Sequence, residues 1–171
     1  MVNLPQRRTD DLHKGRVSLA GARYFVTCTI EGRIPLLCEC TTAVRSVLAR
    51  LVDDGDAVVL CGVVMPDHLH ILVVLEGSLS IGQVVGKLKA LTRPALTDSG
   101  IRWQRDFFEH HLRPGEKANS YARYMFLNPY RAQLIDRSEC WSYWFCDDMS
   151  RFDFSSLLDK PQFDRNNYLT I

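Results

Sequence analysis

Residues 57–76 constrain the fold more than any other stretch of the chain. They read AVVLCGVVM, then Pro66-Asp67, then HLHILVVLE. Two apolar, β-branched runs of strand length flank a two-residue turn. Side chains alternate along a strand, so Leu69, Ile71, Val73 and Leu75 share one face, while His68 and His70 share the other. An apolar sheet face of this kind needs a covering layer. The flanking sequence supplies two amphipathic segments. A helix is expected over 42–54, capped by Thr41, with Val44, Val47, Leu48, Leu51 and Val52 at helical spacing and Gly55 closing it. A second is expected over 81–92, capped by Ser80, with Ile81, Val84, Val85, Leu88 and Leu91 on one side and Pro94 stopping it.

Residues 22–30 (ARYFVTCTI) read as a first strand, and 101–111 (IRWQRDFFEHH) as a further extended segment. Pro114-Gly115 is a turn, and a third helix is expected over 116–128, ended by Pro129. Beyond 136 the chain, with Trp141, Trp144 and several Asp, reads as packed but irregular. The order β-α-β-β-α-β followed by a helix is the split βαβ arrangement. The expected class is α+β: a ferredoxin-like (RRM-like) antiparallel sheet with an extra C-terminal helix. Its first and third strands lie in the middle of the sheet, with the first two helices on one face. The histidines then look out from the opposite face of a central strand.

A length of 171 residues suits one domain, and 46% apolar with 24% charged residues excludes a mainly disordered chain. The longest apolar run, 57–66, is too short to span a membrane, and the basic N-terminus has no apolar stretch of a secretory signal behind it. A cytoplasmic location without membrane attachment is expected. Cys28, Cys38, Cys40, Cys61, Cys140 and Cys146 form no C-x-x-C pair and read as structural, Cys28 and Cys61 as small core residues. The net charge of +1 is patterned: residues 1–50 carry +4, 51–100 −3, 101–135 +3 and 136–171 −3. The positive blocks hold Arg7, Arg8, Lys14 and Arg16, then Arg102, Arg105, Arg113, Lys117, Arg123 and Arg131. Such local cationic surfaces are enough to bind phosphates.

Two imidazoles one pleat apart can bind one divalent cation. Burying them is costly unless both are hydrogen-bonded or ligated. On the third helix Tyr121, Tyr124 and Asn128 follow steps of three and four residues and so lie along one side. If that side covers the open sheet face, Asn128 can supply an oxygen ligand and a tyrosine sits beside the metal. Spacing does not choose between Tyr121 and Tyr124. Glu109 and His110 read as an edge pair, structural or strand-binding, with a general acid or base role as the alternative. His111 points the other way from His110.

Met65-Pro66-Asp67-His68-Leu69-His70 resembles the His-hydrophobic-His motif of single-tyrosine HUH transposases. Trp103-Gln104-Arg105-Asp106-Phe107-Phe108-Glu109-His110 and Gly21-Ala22-Arg23-Tyr24-Phe25-Val26-Thr27 are similar to stretches of REP-associated tyrosine transposases. Tyr124-Met125-Phe126-Leu127-Asn128-Pro129-Tyr130-Arg131-Ala132 resembles their Y-I-x-x-N-P-V-R-A signature. Asp67 stands where Asn is common, and Tyr130 and Gln133 where Val and Gly are usual. The resemblance covers about residues 7–145. It implies a catalytic domain over 21–135, and the charge pattern adds a basic arm over 1–20 and an acidic tail over 136–171 packed on that domain. It implies that His68, His70 and Asn128 hold Mg or Mn, and that Tyr124 is the nucleophile of a single-stranded DNA endonuclease and strand transferase. The DNA is expected to form hairpins and to meet Arg7, Arg8, Arg16, Arg102, Arg105, Arg123 and Arg131, and the protein to be a monomer or homodimer. Two other readings stay open: a ferredoxin-like module that binds single strands without catalysis, and a small metal hydrolase using water.

Overall fold

The computed structural model describes residues 20–148 and 150–158. Strands β1 (Arg23–Thr29), β2 (Ala57–Val64), β3 (His68–Leu75), β4 (Phe108–His111) and β5 (Trp144–Cys146) form one sheet in the order β4-β1-β3-β2-β5. Helices α1 (Thr41–Asp53) and α2 (Ile81–Asp98) precede β2 and β4, and α3 (Ala118–Phe126) and α4 (Asn128–Arg131) follow β4. All pairings are antiparallel, with β1 and β3 in the middle as expected.

The predicted parity of β3 sorts the interior into two layers. Leu69, Ile71, Val73 and Leu75 join Tyr24, Val26 and Cys28 of β1 under α1 and α2, against Val44, Leu48, Leu51, Val84, Val85 and Leu88. Each large aliphatic side chain buried there contributes about 1.5–3 kcal/mol. On the other face Phe25, Cys61, Val63 and Leu72 meet Ala122, Met125 and Phe126 of α3. A register shift between Val59 and Cys61 turns both Leu60 and Cys61 toward α3, as an extra residue in a strand must.

Several expectations need correction. Thr41 is the first residue of α1 rather than its cap, and its hydroxyl donates to the Cys38 carbonyl (2.7 Å). Pro94 does not stop α2, which runs four residues further. The proline removes one backbone donor, but Leu96 is fully buried and the Cys40 thiol donates to the Ala95 carbonyl (3.6 Å), so tertiary packing holds the last turn. Of the extended segment 101–111, only Phe108–His111 enters the ladder, with an isolated bridge between Ile30 and Trp103. Between them the chain leaves the sheet. There the Lys89 ammonium donates to the carbonyls of Gln104, Arg105 and Asp106 (2.8, 3.2 and 2.9 Å). Pro129 sits in the first turn of α4 instead of merely ending α3, its missing N–H costing nothing there.

The tail is not irregular throughout. Trp144–Cys146 adds β5 to the free edge of β2, and the Trp141 indole donates to the Val64 carbonyl (2.9 Å). Phe152 and Leu158 are buried with α3 in the second layer. No disulfide joins the six cysteines, all of which lie among the described residues, and burial pushes the thiols of Cys28 and Cys146 up to about 12. No helix among the described residues is long and apolar enough to cross a membrane.

Candidate active site

The α3-covered face of the sheet carries the site. β1 pairs with β3 so that Thr27 lies opposite His70 and Thr29 opposite His68. This register brings the Thr27 hydroxyl within 2.8 Å of His70 Nδ1. His68 Nδ1 lies 2.6 Å from Asp67 Oδ1, and the other oxygen of Asp67 accepts from Arg33 (3.0 Å). Both imidazoles are therefore braced from behind through Nδ1, and their Nε2 atoms approach to 3.1 Å. With Asp67 accepting from His68 Nδ1–H, the His68 Nε2 lone pair points inward. If Thr27 likewise accepts from His70, two lone pairs face each other, an arrangement a cation between them would relieve. Neighbouring ligands of one octahedral ion with bonds of about 2.1 Å stand roughly 3 Å apart, so the donor set fits a divalent cation.

Charge agrees with this. His70 is 6% exposed, and its pKa falls to about 3, first through burial and then through the neighbouring His68. It is a neutral donor at any physiological pH. Burial works to raise the Asp67 pKa, but hydrogen bonds from His68 and Arg33 outweigh it and hold the carboxyl below its ordinary value. Among the described residues no group of three His, Cys, Asp or Glu side chains converges. An ion at the pair must therefore draw its remaining ligands from other donors, from substrate or from water. Asn128, half-buried, opens α4 where the chain breaks from α3, and its carboxamide makes no hydrogen bond to either imidazole.

The two tyrosines, equivalent by spacing, differ in their surroundings. The Tyr124 ring stands edge-on to His70 with centroids 5.7 Å apart, and the Arg131 guanidinium lies 5.6 Å from its centre. Tyr124 is 43% exposed. Tyr121 stacks on His110 (5.6 Å), and burial, followed by the charge of Glu116, raises its pKa. A phenolate is favoured beside a cation and disfavoured beside a carboxylate. Each tyrosine has a histidine and an arginine nearby, but only Tyr121 also has a carboxylate, Glu116, that works against its phenolate.

Residues 20–112, more than half of the chain and including both histidines, match the profile of the IS200-like transposases. The chain belongs to the IS200-like transposase family. It is thus related to enzymes that act on DNA. Among solved structures it is similar to a REP-associated tyrosine transposase bound to a REP hairpin, at 24% identity, with a TM-score of 0.58 over 70% of this chain and 73% of that one. It also aligns with a transposase from Deinococcus radiodurans R1 at 17% identity, with a TM-score of 0.48 over 70% of this chain and 95% of that one. No curated protein matches the sequence.

The transposase does not gather its expected DNA-binding arginines in one place. Arg131 is at Tyr124, and Arg123 is exposed on α3. Arg102 and Arg105 line a separate hollow of about 610 Å³ with Lys89 and Arg93, beside α2, which packs on the sheet face opposite the histidines. Arg7, Arg8 and Arg16 lie outside the described residues. The Glu116 carboxylate accepts from His110 Nε2 (2.8 Å), and His111 stacks on Tyr24 (5.0 Å) from the other face. The transposase's Thr27 escaped the sequence reading. Alternation placed it on the histidine face, but only the β1–β3 register sets it against His70.

Proposed function

We propose that this transposase cleaves and rejoins single-stranded DNA through Tyr124, at a site where His68, His70 and Asn128 hold Mg or Mn. The observation that carries the reading is the pair of braced imidazoles, Nε2 to Nε2 3.1 Å, with the Tyr124 ring between His70 and Arg131. Two nitrogen donors suit Mn as well as Mg. The bound ion would neutralise charge on a non-bridging phosphate oxygen. Tyr124 gives its proton to solvent, from which the leaving oxygen later takes one, with Arg131 stabilising the phenolate, and the Tyr124 oxygen bonds to phosphorus. The bond from phosphorus to the 3′ oxygen breaks, that oxygen takes up a proton, and the strand is left with a free 3′-hydroxyl and a 5′-phosphotyrosine. Attack by a 3′-hydroxyl reverses the step. One phosphodiester is exchanged for another, so no nucleotide cofactor is needed.

The structural relative's REP hairpin supports a hairpin-bearing strand as the substrate. Incubating the protein with labelled hairpin single strands and Mg or Mn should give a covalent adduct on denaturing gels. Tyr124→Phe should abolish it, and Tyr121→Phe should keep it. Nicking that survives in Tyr124→Phe would sink the assignment and favour water as the nucleophile. Strands retained without any adduct would favour a binding module.

A further inference from the structure

Beside Tyr124 lies an open apolar depression of about 450 Å³, lined by Phe25, Phe108, His110, Ser120, Tyr121 and Tyr124. Phe25 forms its floor, with Phe108 (6.4 Å, edge-on), Tyr121 (5.5 Å) and Tyr124 (6.1 Å) around it. Phe108 is 58% exposed, the most exposed large apolar side chain among the described residues. Folding does not account for it. Phe108 sits on edge strand β4, where a polar residue would serve the ladder equally, and its phenyl ring faces the site side of the sheet, opposite Thr27. The Arg131 guanidinium lies over the Tyr124 ring, and the Glu116 carboxylate accepts from His110 of the lining. Aromatic walls with a cation on the Tyr124 side complement a base whose phosphate lies toward Tyr124, as a single strand offers.

We infer that this depression seats one unpaired base, next to the phosphate presented to Tyr124, stacked on Phe108. The inference rests on the proposed strand-cleaving reading and adds a base subsite to it. A duplex cannot enter, because its bases are already stacked on one another. The subsite therefore selects strands whose nucleotide beside the phosphate at Tyr124 is unpaired. Phe108 is a specificity residue and takes no part in bond breaking.

The test is a set of DNA hairpins with an unpaired flank, carrying 2-aminopurine at one flank position at a time. Wild-type protein should quench the fluorescence at one position or two adjacent ones. Phe108→Ala should abolish that quenching and weaken binding of the hairpin about ten-fold, the scale of one base–aromatic stack. Phe108→Tyr should retain both. An abasic nucleotide at the quenched position should weaken wild-type binding equally and leave Phe108→Ala unaffected. Undiminished binding and quenching in Phe108→Ala, or equal losses from abasic sites everywhere in the flank, would overturn the subsite. The covalent-adduct assay separates the two readings. Adducts with a silent Phe108 remove only the subsite, whereas position-specific quenching without adducts removes only the catalytic reading.

Discussion

Lowering the pH should destabilise this protein through a single buried imidazole. His70 is held neutral by burial and by His68, with its pKa at about 3 against an ordinary value of 6.5. Its folded pKa lies below its unfolded one, so the unfolded chain binds the extra proton first. The stability contributed by the neutral imidazole is fully present above about pH 6.5 and is lost as the pH falls toward 3. Between pH 7 and pH 5 the unfolded His70 becomes almost wholly charged while the folded one stays neutral. That difference costs about 2 kcal/mol. Urea unfolding at the two pH values should show it as a midpoint shift of about 1 M. His70→Gln removes the titrating group and keeps a polar side chain opposite Thr27. It should lose about 2 kcal/mol less over the same interval, which isolates His70 from the carboxylates that titrate with it. Equal losses in both proteins, or an NMR titration placing His70 near 6.5, would refute the reasoning.

Gly62→Ala should destabilise by about 2 kcal/mol, because a Cβ there would stand 2.5 Å from the Phe145 ring and 2.8 Å from the His70 carbonyl oxygen. Hydrogen exchange should speed up at residues 144–146 of β5. Thr92→Val should cost about 1–3 kcal/mol in chemical denaturation, since the buried Trp103 indole donates to the Thr92 hydroxyl (2.8 Å) and would lose its acceptor. Gln133→Gly should raise the melting temperature slightly, by about 0.5 kcal/mol of strain relieved net of chain entropy. Gln133 holds φ at 56°, a conformation costing roughly 1–2 kcal/mol for a residue with a Cβ. A lower melting temperature would show that the Gln133 side chain stabilises more than its backbone strains.

The strand alternation of 68–76 and the helical periods of 42–54 and 81–92 are local properties of the chain. They determined by themselves which face of β3 is buried under α1 and α2, which face carries His68 and His70, and the split βαβ order. Composition alone likewise removed disorder as a reading, and the motif pattern pointed to the family that the profile match shows. What the sequence left open are matters of register and edge. Proline at 94 is a local stop signal, overruled by the burial of Leu96. Trp144–Cys146 becomes a strand only because the edge of β2 is there to pair with it. Tyr121 and Tyr124 are equivalent by spacing. They separate only when folding sets one against Glu116 and the other between His70 and Arg131. Thr27 meets His70 through a pairing of residues 43 positions apart. Side-chain periodicity tells a residue which way to face, but its partner across the sheet is chosen by packing the whole chain, and the tertiary structure alone decides it.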